Sequence, residues 1–279
     1  MSVVIAILAG MVTNDVVVTR PVPQLLRVMV TTEAAVVAWA TVLLLLLPAR
    51  VAEQWWAWSI APFHARYVGA VYLGAFVPLL LFALRPYVVP GRVVLWMVLT
   101  FNATVSVVML FYRDEFAFDR LHAWVFWILY LAITVVSAFF LYRLRGLRDS
   151  GEPPTDRVRR WFVTAVAVAT GAYGVLLLAA PATAAGWWPW PVDAFHSRLY
   201  AATFLTAATG TWLLRQVGAR VSWLAVGGSG AGFGLGAVAG TLLTGATRSL
   251  DLAEAAPFLA AHLIVGLAGV VMLAWARNS

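Results

Sequence analysis

The feature that most constrains this chain is a series of eight apolar runs, each near the length needed to cross a bilayer. They lie at residues 28–47, 67–84, 93–112, 121–142, 161–180, 199–214, 221–244 and 256–275. A helix rises about 1.5 Å per residue, so runs of about twenty residues match a hydrocarbon core about 30 Å thick. Only 11% of the residues are charged and 63% are apolar, so the chain has too little polar surface to enclose itself in water. The expected fold is therefore all-α and integral to the membrane, with eight transmembrane helices. The sixth run is the shortest, and it is expected to begin as early as Phe195, with Pro191 suited to a first helical turn.

Composition narrows the chemistry. With no cysteine, thiolate catalysis, disulfides and Cys-ligated metals are excluded. The net charge of +7 comes from arginines in short loops between apolar runs, a pattern that argues against nucleic acid and for anionic lipid headgroups as partners. Thirteen of the nineteen arginines fall on the N-terminal side of the spans and six on the other. Retention of arginine on the cytoplasmic side then puts both termini in the cytoplasm and the protein in the plasma membrane. Residues 1–27 read as a cytoplasmic leader, with Met11 an alternative start. Its first twelve residues lack the basic start and small-residue cleavage site of a signal peptide.

The strongest internal pattern is a repetition. Trp55-Trp56-x-Trp58, Phe63-His64-x-Arg66 and Ala70 recur as Trp187-Trp188-x-Trp190, Phe195-His196-x-Arg198 and Ala202, all at an offset of 132 residues. Seven identities in sixteen positions, three of them tryptophan, define two homologous units: residues 28–145 and 160–279, joined by a Gly- and Pro-containing linker at 146–159. Four helices per unit is an even number, so the units are parallel repeats about an axis along the membrane normal. Both motifs then fall on the outer face, where tryptophan rings are expected at headgroup depth with hydrated N–H groups.

The motif resembles uncharacterised bacterial multi-pass membrane proteins carrying a W-P-W segment followed by an R-x-x-G-A helix start. The resemblance covers residues 55–70 and their second copy, and implies no activity. Where His64 and His196 stand, that pattern commonly has a hydroxyl residue.

All four histidines are expected near the outer ends of their helices, with His64 paired to His196 and His122 to His262. Such a layer would allow a haem or a divalent metal, with Asp119, Asp251 or Glu254 adding oxygen ligands. The spacing contains no close HxH or HxxxH motif, so the simpler expectation is hydrated interfacial histidines and no cofactor. Arg66 and Arg198 follow their histidines by two positions, about 200° round a helix, and so face elsewhere. They are expected to reach headgroups, or to pair with an acid such as Asp119 or Asp193 and lock the repeats.

In the seventh run Gly228, Gly232, Gly236 and Gly240 recur every fourth residue, with Gly230 and Gly234 between, which makes a close-packing seam. The stretch Gly227-Gly228-Ser229-Gly230, with Ala261-His262, Gly266 and Gly269, also resembles the serine and histidine helices of rhomboid intramembrane proteases. That resemblance implies a Ser229–His262 pair. Here the two helices are consecutive, however, and the two residues stand at different depths. Glu33, beside Thr31 and Thr32, is the one carboxylate within a span: either an ion-pathway group or a side chain reaching the interface near Arg27. Asn102, with Thr100, Thr104 and Ser106, forms a polar stripe expected to be an interhelical seam rather than a pore lining. The readings left open are a non-enzymatic carrier or envelope-assembly component with an outward vestibule, alone, as a homo-oligomer or within a complex, and a haem, metal or serine-dependent membrane enzyme.

Overall fold

The computed structural model describes residues 21–145, 155–245 and 251–277. Most of the leader, with Met11, and most of the linker lie outside the described residues. The chain forms ten α-helices there, besides one 3-10 turn at Arg113–Glu115: α1 (Gln24–Leu46), α2 (Pro48–Gln54), α3 (Pro62–Leu84), α4 (Val88–Phe111), α5 (Leu121–Leu144), α6 (Arg157–Ala179), α7 (Pro181–Ala185), α8 (Ala194–Leu213), α9 (Arg220–Gly245) and α10 (Leu252–Arg277). Among the described residues, seven of these are long and apolar enough to cross a membrane: α1, α3, α4, α5, α6, α9 and α10. The eighth long helix, α8, carries Ser197, Arg198 and four threonines, and this polar content separates it from the others.

Several helix ends follow from local chemistry. Helix α1 starts at Gln24, so residues expected in the leader form its first turn. Helices α2, α3 and α7 each open on a proline, which lacks the N–H that would go unpaired in a first turn. Asp156 caps α6, accepting from the Arg159 amide at 3.0 Å. Asp193 caps α8, accepting from the His196 amide at 2.7 Å. Pro191 therefore lies ahead of the helix rather than in its first turn.

Helices α3 and α8 occupy the middle of the bundle. Helix α3 packs against α1 and α9, and α8 packs against α6 and α4; α5 covers α4, and α10 covers α9. Close approach between α9 and its neighbours depends on glycine. Built Cβ atoms at Gly228, Gly232 and Gly236 would meet Val77, Leu73 and Ala70 of α3, and at Gly240 the backbone and Cβ of Arg66. On another side of α9, Gly227 and Gly234 meet the α10 backbone at Gly269 and Gly266. Helix α9 thus presents two glycine faces and is held between α3 and α10.

Candidate functional site

Two polar features lie inside the bundle. The first is an aromatic and histidine cluster where α3 and α8 begin. The segment before α3 is tied down by a backbone bond from the Ala117 amide to the Ala57 carbonyl at 2.9 Å. It places Trp58 against Phe116, Phe126 and Phe195. Trp56, Trp58, Trp188 and Trp190 are buried, each below 10% exposure, while Trp55 is exposed. The expectation of hydrated rings at headgroup depth is thus corrected for four of the six motif tryptophans. The segments before α3 and α8 fold inward over the helix ends and surround the indoles with other rings. The buried N–H groups of Trp56 and Trp190 have no acceptor.

His64 and His196 come together, their ring centres 4.5 Å apart, and their partners define the hydrogens. The Trp58 indole N–H donates to His196 Nε2 at 3.1 Å. His196 Nδ1 therefore carries the proton and donates to the Asp193 carboxylate at 2.8 Å. Those bonds from the ring and backbone of His196 hold the Asp193 carboxyl down at about 2. On His64, Nε2–H donates to the Pro191 carbonyl at 3.1 Å, so Nδ1 accepts from the Tyr200 hydroxyl at 2.5 Å. Every one of these contacts except the Asp193 bond links residues far apart in the chain.

His262 lies deeper, accepting from the Tyr67 hydroxyl at 3.3 Å and donating to the Phe258 carbonyl at 2.9 Å. His122 is exposed at the start of α5. The expected His122–His262 pairing is therefore corrected. The offset of 132 carries His122 onto Glu254 and His262 back onto Tyr130, so that pairing rested on depth alone. Asp119, Asp251 and Glu254 are exposed. Among the described residues there is no group of three or more His, Asp or Glu side chains able to hold a metal. Both Nε2 atoms of the His64–His196 pair are engaged, and rings this close leave no room for a macrocycle between them.

The arginines bridge helices instead of pairing with an acid, a third correction. Arg66 donates to the Leu45 carbonyl at 3.3 Å and to the Thr244 hydroxyl at 2.7 Å. Arg198 donates to the Leu178 carbonyl at 3.0 Å and to the Tyr112 hydroxyl. Each guanidinium thus joins the C-terminal ends of two neighbouring helices, where unpaired carbonyls and the helix dipole favour a cation.

The second feature is a partly open cavity between the helices of about 80 Å³, room for several waters. It is lined by seven of the eight long helices, all but α5. Glu33 from α1 is its one ionisable side chain, and Asn102, Thr203, Thr206, Thr211 and Ser229 are among its other polar members. Pro78 lies on the wall, in the interior of α3, where a missing N–H leaves the helix one hydrogen bond short. Glu33 does not reach toward the interface. Its side chain interacts with the Asn102 amide, and its Oε2 is buried without a hydrogen-bond partner. Asn102 also donates to the Val98 carbonyl at 2.9 Å. In the polar stripe of α4, Thr100 meets Thr209 of α8 at 3.1 Å and Ser106 meets Thr134 of α5 at 3.3 Å, whereas Thr104 bonds back to the Thr100 carbonyl. The stripe is thus an interhelical seam at two positions and a cavity lining at Asn102.

Ser229 and His262 do not pair. Gly234 of α9 lies against the His262 carbonyl, so Ser229 stands five residues, about 7.5 Å, away along the helix axis, and His262 Nε2 already holds the Tyr67 hydroxyl. Between the two features lies a smaller void lined by Trp58, Tyr72, Tyr130 and Tyr200, which shares Val71, Phe101 and Thr203 with the main cavity. Comparison with protein families, with characterised proteins and with solved structures finds no match to the chain.

Proposed function

We propose that this protein is a small-molecule carrier of the plasma membrane, working through the cavity around Glu33 and Asn102 rather than by catalysis. On this reading α8 is an eighth span, its polar side chains tolerated because α4 and α6 shield it from lipid. The chain is then two parallel four-helix halves with both termini cytoplasmic and the loop arginines against anionic headgroups. The matching partners of α3 and α8 support the two halves: each packs on the first helix of its own half and the third helix of the other. The observation that carries the carrier reading is the cavity itself. It lies between the halves and contains a carboxylate at a depth where ionisable groups mark transport pathways. On this reading the Trp58, His64, His196 and Tyr200 cluster serves as the outer gate. The engaged nitrogens of that cluster support a gating and locking role without a resident haem or metal.

The absence of cysteine gives a clean test. A single cysteine in place of Thr206, on the cavity wall, is treated with a charged, membrane-impermeant thiol reagent from each side of oriented vesicles. A carrier that opens alternately is labelled from both sides, and more slowly from the side of the aromatic cluster. Complete protection from both sides overturns the proposal.

A further inference from the structure

We propose that the cavity takes a slender lipophilic amine in its protonated form, held by Glu33 and exchanged for a proton on that carboxylate. This rests on the carrier reading and names the substrate class it lacks. Two buried polar atoms without partners, Glu33 Oε2 and Thr206 Oγ1, both belong to residues lining this one cavity. The Glu33 carboxylate, once ionised, accepts hydrogen bonds and the Thr206 hydroxyl can accept as well as donate, so one group bearing several N–H donors satisfies both. A bare carboxylate charge in low-dielectric surroundings is costly, so Glu33 needs either a proton or a cation beside it.

The walls decide which cation. Val71, Leu79, Val98 and Met272 are apolar, and Phe101 and Phe233 are the aromatic side chains of the lining. A hydrated alkali or divalent ion needs six or more oxygen ligands to replace its water. Here the lining is overwhelmingly apolar, so it supplies few such oxygens. An alkylammonium instead supplies three N–H donors at one end, for the carboxylate and the threonine, and an apolar tail for the walls. Its positive charge is further favoured by aromatic faces. The exchange balances. The ammonium enters with its own proton, the Glu33 carboxylic acid releases one proton, and the site holds a neutral carboxylate–ammonium pair.

The test is calorimetric titration of the protein in nanodiscs with n-hexylamine and with 1-hexanol, its uncharged counterpart of the same length, with empty nanodiscs subtracted. Two buffers of different ionisation enthalpy report the proton. The amine should bind at least tenfold more tightly than the alcohol, with release of up to one proton, and more tightly as pH rises. Glu33→Gln should abolish the preference while leaving the alcohol unchanged. Glu33→Asp, which keeps the charge, should retain the preference, and a thermal melt of each variant checks that it is folded. Equal binding of amine and alcohol, a preference that survives Glu33→Gln, or displacement of the amine by equimolar sodium or potassium would overturn the inference. Two-sided labelling at position 206 together with no amine binding would remove this inference and leave the carrier reading standing; a sealed cavity would remove both.

Discussion

Gly234 is the position where the packing of α9 makes its sharpest demand. A methyl group there would lie 2.3 Å from the Gly266 nitrogen and 2.5 Å from the His262 carbonyl oxygen. Ordinary carbon contacts begin near 3.4 Å, so α9 and α10 must part by about 1 Å, and the obstacle is backbone, which cannot swing away. Overpacking of this kind costs about 1–3 kcal/mol. Parting the helices also strains the Tyr67–His262 hydrogen bond, worth about 1 kcal/mol. Gly234→Ala should therefore destabilise the protein by about 2–4 kcal/mol, a drop in melting temperature of about 4–8 °C at about 2 °C per kcal/mol. The controls lie on the same helix. At Gly230 and Gly240 the nearest atoms to an added Cβ are 3.5 and 3.4 Å away, which is ordinary contact. Since alanine is favoured over glycine within a helix by about 1 kcal/mol, those two substitutions should be neutral or slightly stabilising. Thermal unfolding in detergent, followed by tryptophan fluorescence, measures all three. A Gly234→Ala melt equal to wild type, or the same loss at all three sites, would refute the assigned helix faces.

Two further outcomes are expected. Arg198→Ala removes a charged donor from the Leu178 carbonyl and the Tyr112 hydroxyl; it should lower stability by about 2–3 kcal/mol, read by the same melts, with Arg66→Ala similar and Arg198→Lys only a partial rescue, because an ammonium lacks the fork that spans both acceptors. Asp193 is ionised in the fold down to about 2, against 3.8 for the free side chain, because the His196 ring and amide donate to it. Its contribution is thus complete above about pH 3.8 and lost as pH falls through about 2, so a melting temperature that declines across this window in wild type should decline less in Asp193→Asn.

Much of the helical framework was legible because hydrophobic length is a property of sequence alone. The apolar runs became long helices, and the recurrence of His64 and Arg66 at His196 and Arg198 marked residues that the fold uses. What escaped was rotation and loop path. Counting residues from a helix end gives height but not direction, so the depth of Glu33 was evident while its position on a cavity wall was not. The tryptophans were misjudged because headgroup preference describes a ring at the edge of an isolated helix. Trp58 and Trp190 instead sit on segments that turn inward. Asp193 offered a usable signal: an acid three residues before His196 is placed both to cap α8 and to orient the ring, a role that height arithmetic never tests.

The offset of 132 residues relates packing more faithfully than it relates chemistry. Arg66 and Arg198 make parallel bridges, and Tyr112 and Thr244, which accept from them, are themselves related by that offset. Several other polar groups have no such counterparts. Glu33 maps onto Ala165, Asn102 onto Gly234, Asp193 onto Ala61 and Tyr200 onto Val68. On the duplication reading, one half carries the carboxylate and its amide, while the other uses the equivalent position of α9 to approach α10 and supplies the acid and phenol that set the two histidines. A second carboxylate at position 165, introduced as Ala165→Glu, would bring another charge needing neutralisation into the bundle without an amide to meet it. On the carrier reading, asymmetry in side chains upon symmetry in helix packing leaves one ionisable side chain in the cavity, and exchange of a single cation for a single proton requires no more.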